Sequence, residues 1–243
     1  MNKIIDNNRS AESLYLILAS IFITSLVSCN LIFQKFFQID IWLPFIGQYT
    51  FEQSVGLLAY PVTFLVTDII SEVYGQKKAN RVVTSGLIAS IFMLILVTIS
   101  DSIQSAEFGI GNIFAYNPAT GQEENIFHIV FGLSSAAVFA SMVAYLFAQF
   151  IDVRIFHFWK RLTNGKHLWL RNNASTVLSQ CIDTLLVLFL LCYCSVIPWD
   201  KFIPYFINGF LFKVFFAAFD TPIIYGLTYA IRKRFNLKFG EEI

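Results

Sequence analysis

Charge is scarce in this chain, and its absences are the first guide to what the chain can be. Only 14% of the 243 residues are charged while 56% are hydrophobic, and mean hydropathy is +0.64. That balance belongs to membrane proteins, and it leaves no stretch from which a soluble domain of any size could be built. The net charge of +1 gives no sign of a nucleic-acid partner. The four cysteines, Cys29, Cys181, Cys192 and Cys194, all fall in apolar stretches without zinc or disulfide spacing, so they read as small packing residues. Catalytic signatures are missing too. The chain has no G-x-x-x-x-G-K-[ST], no H-E-x-x-H and no G-x-S-x-G, and His128, His157 and His167 are scattered. No cofactor, no metal and no P-loop ATP hydrolysis are expected.

What is abundant is apolar sequence in long runs. A span needs about 20 mostly apolar residues, and six runs qualify: Leu14–Phe37, Phe51–Tyr74, Val82–Ser100, Phe127–Ile151, Ala174–Ile197 and Phe202–Ile231. The expected fold class is an all-α integral membrane protein, a six-transmembrane-helix bundle. Residues 1–13 and 232–243 read as polar tails flanking one membrane domain over 14–231. Leu26-Val27-Ser28-Cys29 loosely mimics a lipoprotein cleavage site, but the run around it is long enough to span and five more follow, so no cleaved leader is expected. Of 17 Lys and Arg, 14 lie at the N-terminus, after the second and fourth runs, and at the C-terminus. Residues 101–126 carry Asp101, Glu107, Glu123 and Glu124 with no Lys or Arg, and Gly109, Gly111 and Pro118 soften that loop. By the positive-inside rule both termini are then cytoplasmic.

Five ionisable residues interrupt the apolar runs: Asp68, Glu72, Asp183, Lys213 and Asp220. A charge at the bilayer centre costs about 2.5–3.5 kcal/mol on insertion scales, so such residues are kept where they face one another or a polar cavity. Asp68 and Glu72, spaced i and i+4, share a helix face and would repel unless a cation or substrate neutralises them. Thr176, Gln180, Asp183 and Thr184 align on the fifth run. Ser134, Ser141, Tyr145, Gln149 and Asp152 align on the fourth. Lys213 and Asp220 lie two turns apart on the sixth, and Ser28 and Asn30 sit on the first. Polar stripes from five helices predict a small polar pocket inside the bundle. Pro61 and Pro222 are expected to bend the second and sixth helices, and Pro44 with Gly47 to turn an external connection. Trp42, Trp159, Trp169 and Trp199 near the ends suit an interfacial belt.

Thr67-Asp68-Ile69-Ile70-Ser71-Glu72-Val73-Tyr74-Gly75, followed by the basic Gln76-Lys77-Lys78-Ala79-Asn80-Arg81, resembles the signature of the queuosine precursor transporter family, also called the vitamin uptake transporter family. Further matches run in order: Ser28-Cys29-Asn30, Ala140-Ser141 to Ala148-Gln149-Phe150-Ile151-Asp152, Ala174-Ser175-Thr176 to Asp183-Thr184, and Phe212-Lys213-Val214 to Asp220-Thr221-Pro222. One departure is Cys29-Asn30, where the family pattern has Ser-Asn. The resemblance implies a six-helix, solitary relative of the vitamin-binding subunits of energy-coupling-factor importers, resident in the bacterial inner membrane. It implies import of 7-deazaguanine bases (the cyano or aminomethyl precursor) or queuine, for salvage into tRNA queuosine.

On that reading the substrate site draws on Asn30, Asp68, Glu72, Gln149, Asp183, Lys213 and Asp220. A 7-deazaguanine presents a ring N–H beside an exocyclic amine, and one carboxylate, Asp183 or Asp68, can accept both. The ring carbonyl wants a donor such as Lys213, Asn30 or Gln149. The expected partners are a purine-like base and the lipid bilayer, with a homodimer left open, no direct nucleic-acid contact and no energising subunit evident. The alternative from another class is an intramembrane enzyme using Asp68 and Glu72 as acid and base.

Overall fold

A computed structural model describes the chain except residues 1, 34, 44–46, 107–111, 118–120, 133–134, 165, 195–196 and 239–240, and except the side chains of 2–8, 43, 132, 135–141 and 171. Pro44, Glu107, Gly109, Gly111, Pro118 and Ser134 therefore lie outside the described residues, as does the side chain of Ser141.

Among the described residues, six long helices form the body: α1 (Asn2–Ile32), α2 (Tyr60–Val73), α3 (Gly75–Ser102), α4 (Ser135–Leu162), α5 (Leu168–Tyr193) and α6 (Phe202–Phe235). Among the described residues, five stretches are long and apolar enough to cross a membrane, those of α1, α2 with its preceding turn, α3, α5 and α6. The outer surface is what a bilayer requires. On α6 the exposed residues Ile203, Ile207, Leu211, Phe215 and Phe219 follow one another every four residues, a helix stripe turned away from the bundle. Asp68, Glu72, Gln149, Asp152 and Asp183 are meanwhile buried. This polar-in, apolar-out arrangement inverts the usual soluble pattern.

The short α2 is the axis of the bundle, packed on α1, α3, α4 and α6. Ten of its fourteen residues are buried. Fourteen residues rise only about 21 Å, too little to cross about 30 Å of hydrocarbon; the 3₁₀ turn Val55–Ala59 supplies the remainder. Gly56 lets that turn lie on α1, because a Cβ there would stand 2.9 Å from the Cys29 carbonyl oxygen. Pro61 sits in the first turn of α2. It starts the helix instead of bending it, since the first turn has no use for the missing N–H. Gly75, at φ +80°, ends α2 and turns the chain directly into α3. Pro222 lies within a continuous α6 and does not interrupt it.

Two antiparallel hairpins depart from the all-α expectation. β1 (Phe36–Leu43) pairs with β2 (Gly47–Ser54) from Phe36↔Ser54 to Leu43↔Gly47, and β3 (Phe114–Asn117) pairs with β4 (Gln122–Asn125). Residues 36–37 and 51–54, expected at helix ends, are thus strand. The alternation Gln38-Ile39-Asp40-Ile41 suits a pleat, and Thr50 Oγ1 donates to Asp40 Oδ1 across the ladder at 2.7 Å. The first hairpin seats on the start of α6. Gln53 Nε2 donates to the Tyr205 carbonyl at 2.9 Å, the Tyr205 hydroxyl donates to Glu52 Oε1 at 2.9 Å, and Lys201 pairs with Glu52 at 3.3 Å. α4 runs eleven residues past the expected end at Ile151, which carries Asp152 and Lys160 into the bundle.

Candidate functional site: a cavity under the first hairpin

The residues expected to share one site are distributed over three levels along the bundle. The level nearest the first hairpin is a cavity of about 100 Å³. α1 contributes Cys29, Asn30 and Phe33, and the hairpin covers it with Phe36 and Gln53. Tyr60 comes from the start of α2, Asp183 and Thr184 from α5, and Gly209 and Lys213 from α6. The wall is mostly apolar with a few convergent polar groups, the usual make-up of a small-molecule site.

Its polar centre is one ion pair. Lys213 Nζ lies 2.5 Å from Asp183 Oδ2, donates to Thr184 Oγ1 at 3.0 Å, and stands 4.6 Å from the centre of the Tyr60 ring. Asp183 and Lys213 are both buried, so each lowers the penalty of burying the other, and the ring face adds a cation–π contact. The pair leaves one group over. Asp183 Oδ1 is buried and accepts no hydrogen bond among the described residues. An orphaned carboxylate oxygen in a cavity wall is an acceptor waiting for donors.

Gln149 stands behind the cavity, not in its wall. Its Nε2 donates to the Tyr145 hydroxyl at 2.5 Å and its Oε1 accepts from Thr67 at 3.4 Å. Tyr145 in turn packs edge-on against Tyr60, ring centres 5.1 Å apart. Gln149 thus braces the aromatic wall that carries Lys213.

The middle level holds Asp68. It faces Asp152 of α4, with Asp220 of α6 nearby and Thr176 of α5 beside it. The third level, at the basic end, holds Glu72, which pairs with Arg232 and lies 3.8 Å from Lys160. Lys160 also donates to the Glu72 carbonyl at 3.2 Å and pairs with Glu242 at 2.8 Å, while the Ile243 N–H donates to the Val73 carbonyl at 2.8 Å. Of the residues expected in one site, Asn30, Asp183 and Lys213 line the cavity, while Asp68, Glu72, Gln149 and Asp220 lie outside its wall. The reason is axial distance. Asp68 is eight residues from Tyr60 along α2, about 12 Å, and Glu72 about 6 Å farther. The acid–base pairing of Asp68 with Glu72 finds no support, since each carboxylate is turned to a different partner.

Tyr60, Gln53 and Gly209 went unrecognised in the sequence. A period-2 signal around Gln53 was present but lay inside an apolar run, and nothing local marks Tyr60 as a cation's neighbour.

Comparison with known proteins identifies a family. Residues 54–227 match the family model described as "Putative vitamin uptake transporter". A protein of Bacillus subtilis named "Probable queuosine precursor transporter" is 25% identical over 174 residues, 71% of this chain and 70% of that one. The "Queuosine precursor transporter" of Escherichia coli is 28% identical over 141 residues, 58% of this chain and 55% of that one. A "Probable queuosine precursor transporter" of Haemophilus influenzae is 22% identical over 227 residues, covering 91% and 88%. No solved structure matches. With the family model spanning well over half of its length, this multi-pass membrane chain belongs to the vitamin uptake transporter family.

Proposed function

We propose that this chain imports queuosine precursors, 7-deazaguanine bases or queuine, across the bacterial inner membrane, and that the cavity under the first hairpin is where the base binds. The observation that carries the reading is the free Asp183 Oδ1 in the cavity wall. A 7-deazaguanine offers a ring N–H and an exocyclic amine side by side. Asp183 can take one on Oδ1 and the other on the second lone pair of Oδ2, whose first is held by Lys213. Asn30, half-buried, would donate to the ring carbonyl, and Phe33, Phe36 and Tyr60 supply flat faces for the bicycle. The names of the relatives from Bacillus subtilis and Escherichia coli support the substrate class.

The same reading orients the protein. Lys77, Lys78, Lys160, Arg161 and Arg232 gather at the end opposite the first hairpin, so positive-inside places that end in the cytoplasm with both termini, and the hairpins outside. Six spans, with α4 as the fourth, satisfy that parity.

The experiment is uptake of a labelled base into proteoliposomes holding the purified protein, with each precursor and queuine as competitors. Chemically unchanged base should accumulate inside, and Asp183→Asn should cut the accumulation at least about tenfold. Base that emerges chemically altered, or uptake equal to that of empty vesicles, would overturn the reading.

A further inference from the structure

The middle of the bundle holds a pair of acids that the cavity does not use. Asp68 of α2 and Asp152 of α4 are both buried, and their carboxyls meet within hydrogen-bonding reach. α5 faces them with hydroxyls: Ser179 Oγ donates to Asp152 Oδ1 at 2.9 Å, and Ser175 and Thr176 stand beside the two acids. α6 faces them with a third acid, the half-buried Asp220. The nearby cations are engaged elsewhere, Lys160 and Arg232 by Glu72 and Lys213 by Asp183. Among the described residues neither Asp68 nor Asp152 has a cation partner. Among the described residues no N–H donor reaches Asp68 Oδ1 or Asp152 Oδ2.

Two bare carboxylates in contact inside a bundle repel strongly, so the contact requires a proton between them. The position matters as much as the chemistry. Asp68 lies between Tyr60, at the cavity, and Glu72, at the basic end, where a coupling ion could respond to both. Buried acid chains serve as proton relays in membrane transporters generally.

We propose that Asp68 and Asp152 form a proton-binding site, distinct from the base cavity, that couples import to the proton gradient. The pair takes one proton from the hairpin side, passing from two negative charges to one, and returns it to water at the basic end when the base is released. Glu72, Arg232 and Lys160 lie one turn farther along that path. This inference rests on the transport reading above.

The test joins a spectroscopic and a transport measurement. Infrared spectra of the purified protein at neutral pH should show the C=O band of a protonated carboxyl that vanishes in both Asp68→Asn and Asp152→Asn. In proteoliposomes, an inward proton gradient should raise accumulation of a neutral base by up to about tenfold per pH unit for one proton carried. Asp152→Asn should still bind and exchange base, within about twofold, because it does not line the cavity, yet ignore the gradient. A wild-type protein without the band overturns the shared proton. Wild-type uptake indifferent to pH, or driven by a sodium gradient instead, overturns the coupling, as does an Asp152→Asn protein that still responds. Vesicles that take up no base under any gradient overturn the transport reading and the coupling with it, while the band still decides whether the pair holds a proton.

Discussion

Asp183 and Asp68 are both buried carboxylates on helices of one bundle, and their surroundings handle the charge in opposite ways. Asp183 is met by a lysine at 2.5 Å and keeps one oxygen free toward a cavity. Asp68 is met by a second acid, hydroxyls and no cation among the described residues. The first arrangement holds a fixed charge whose spare lone pairs can recognise donors. The second is suited to changing its charge. On the proposed reading one bundle separates recognition from coupling by about 12 Å of α2, and a third level, Glu72 with Arg232 and Lys160, closes the basic end with a network of opposite charges.

The sharpest way to break this contrast is Lys213→Met. It leaves Asp183 buried without its cation, a loss of about 3–5 kcal/mol when one partner of a buried pair is removed. Uptake should fall by about a hundredfold or more, and the melting temperature should drop. The double variant Asp183→Asn/Lys213→Met should recover the melting temperature and not the uptake, because the stranded charge is gone while the recognition group is gone too. Lys213→Arg should rescue little, since a planar guanidinium cannot reproduce an ammonium held between Asp183, Thr184 and the Tyr60 face. If Lys213→Met transports normally from pH 6 to about 8, Lys213 is a packing residue and the recognition level is wrongly placed.

Asp183→Asn alone comes next. It turns an acceptor into a group with two donors facing the donors of the base, a mispairing of about 1–3 kcal/mol, so affinity should fall at least about tenfold while the protein still reaches the membrane. Normal binding by this variant would remove Asp183 from the site.

How far this contrast could be read from sequence depends on the level. That Asp68, Asp183 and Lys213 are buried followed from the apolar runs around them, and that Asp183 and Lys213 each need a partner followed from their burial, although which acid meets Lys213 did not. The partner of Asp68 did not follow. Asp152 sits beside Arg154 and before Lys160 and Arg161, so the local charge reads as the end of a span, although α4 continues to Leu162. A helix need not turn apolar where its charges find partners inside the bundle, and those partners lie 80 residues or more away in Asp68 and Glu72. The first hairpin was hidden for a related reason. Its strands abut α1 and the turn before α2, so two short alternating segments merged into two long apolar runs.

The basic end should respond in a different currency from the cavity. Glu72→Gln leaves Arg232 and Lys160 facing a neutral amide. The expected result is a lower melting temperature, about 2–4 °C for each kcal/mol lost, with base affinity in detergent unchanged within about twofold, since Glu72 lies about 18 Å along α2 from Tyr60. A large loss of affinity with an unchanged melting temperature would mean that Glu72 reaches the base, and the separation of levels would fail.

The smallest effect belongs to the hairpin that covers the cavity. Gln53 is buried, its amide donates to the Tyr205 carbonyl at 2.9 Å, and it lies so close to Gly209 that a Cβ there would come 3.0 Å from Nε2. Gln53→Ala removes one hydrogen bond between the hairpin and α6, worth about 1 kcal/mol. If the hairpin must sit on α6 for the cavity to be enclosed, that amount appears as about fivefold weaker binding through faster release of the base. The association rate should not fall, because opening the cover does not obstruct entry. Gly209→Ala should act in the same direction by pushing the amide off its seat. Should Gln53→Ala slow association and leave release unchanged, the hairpin steers the base toward the cavity and does not cover it.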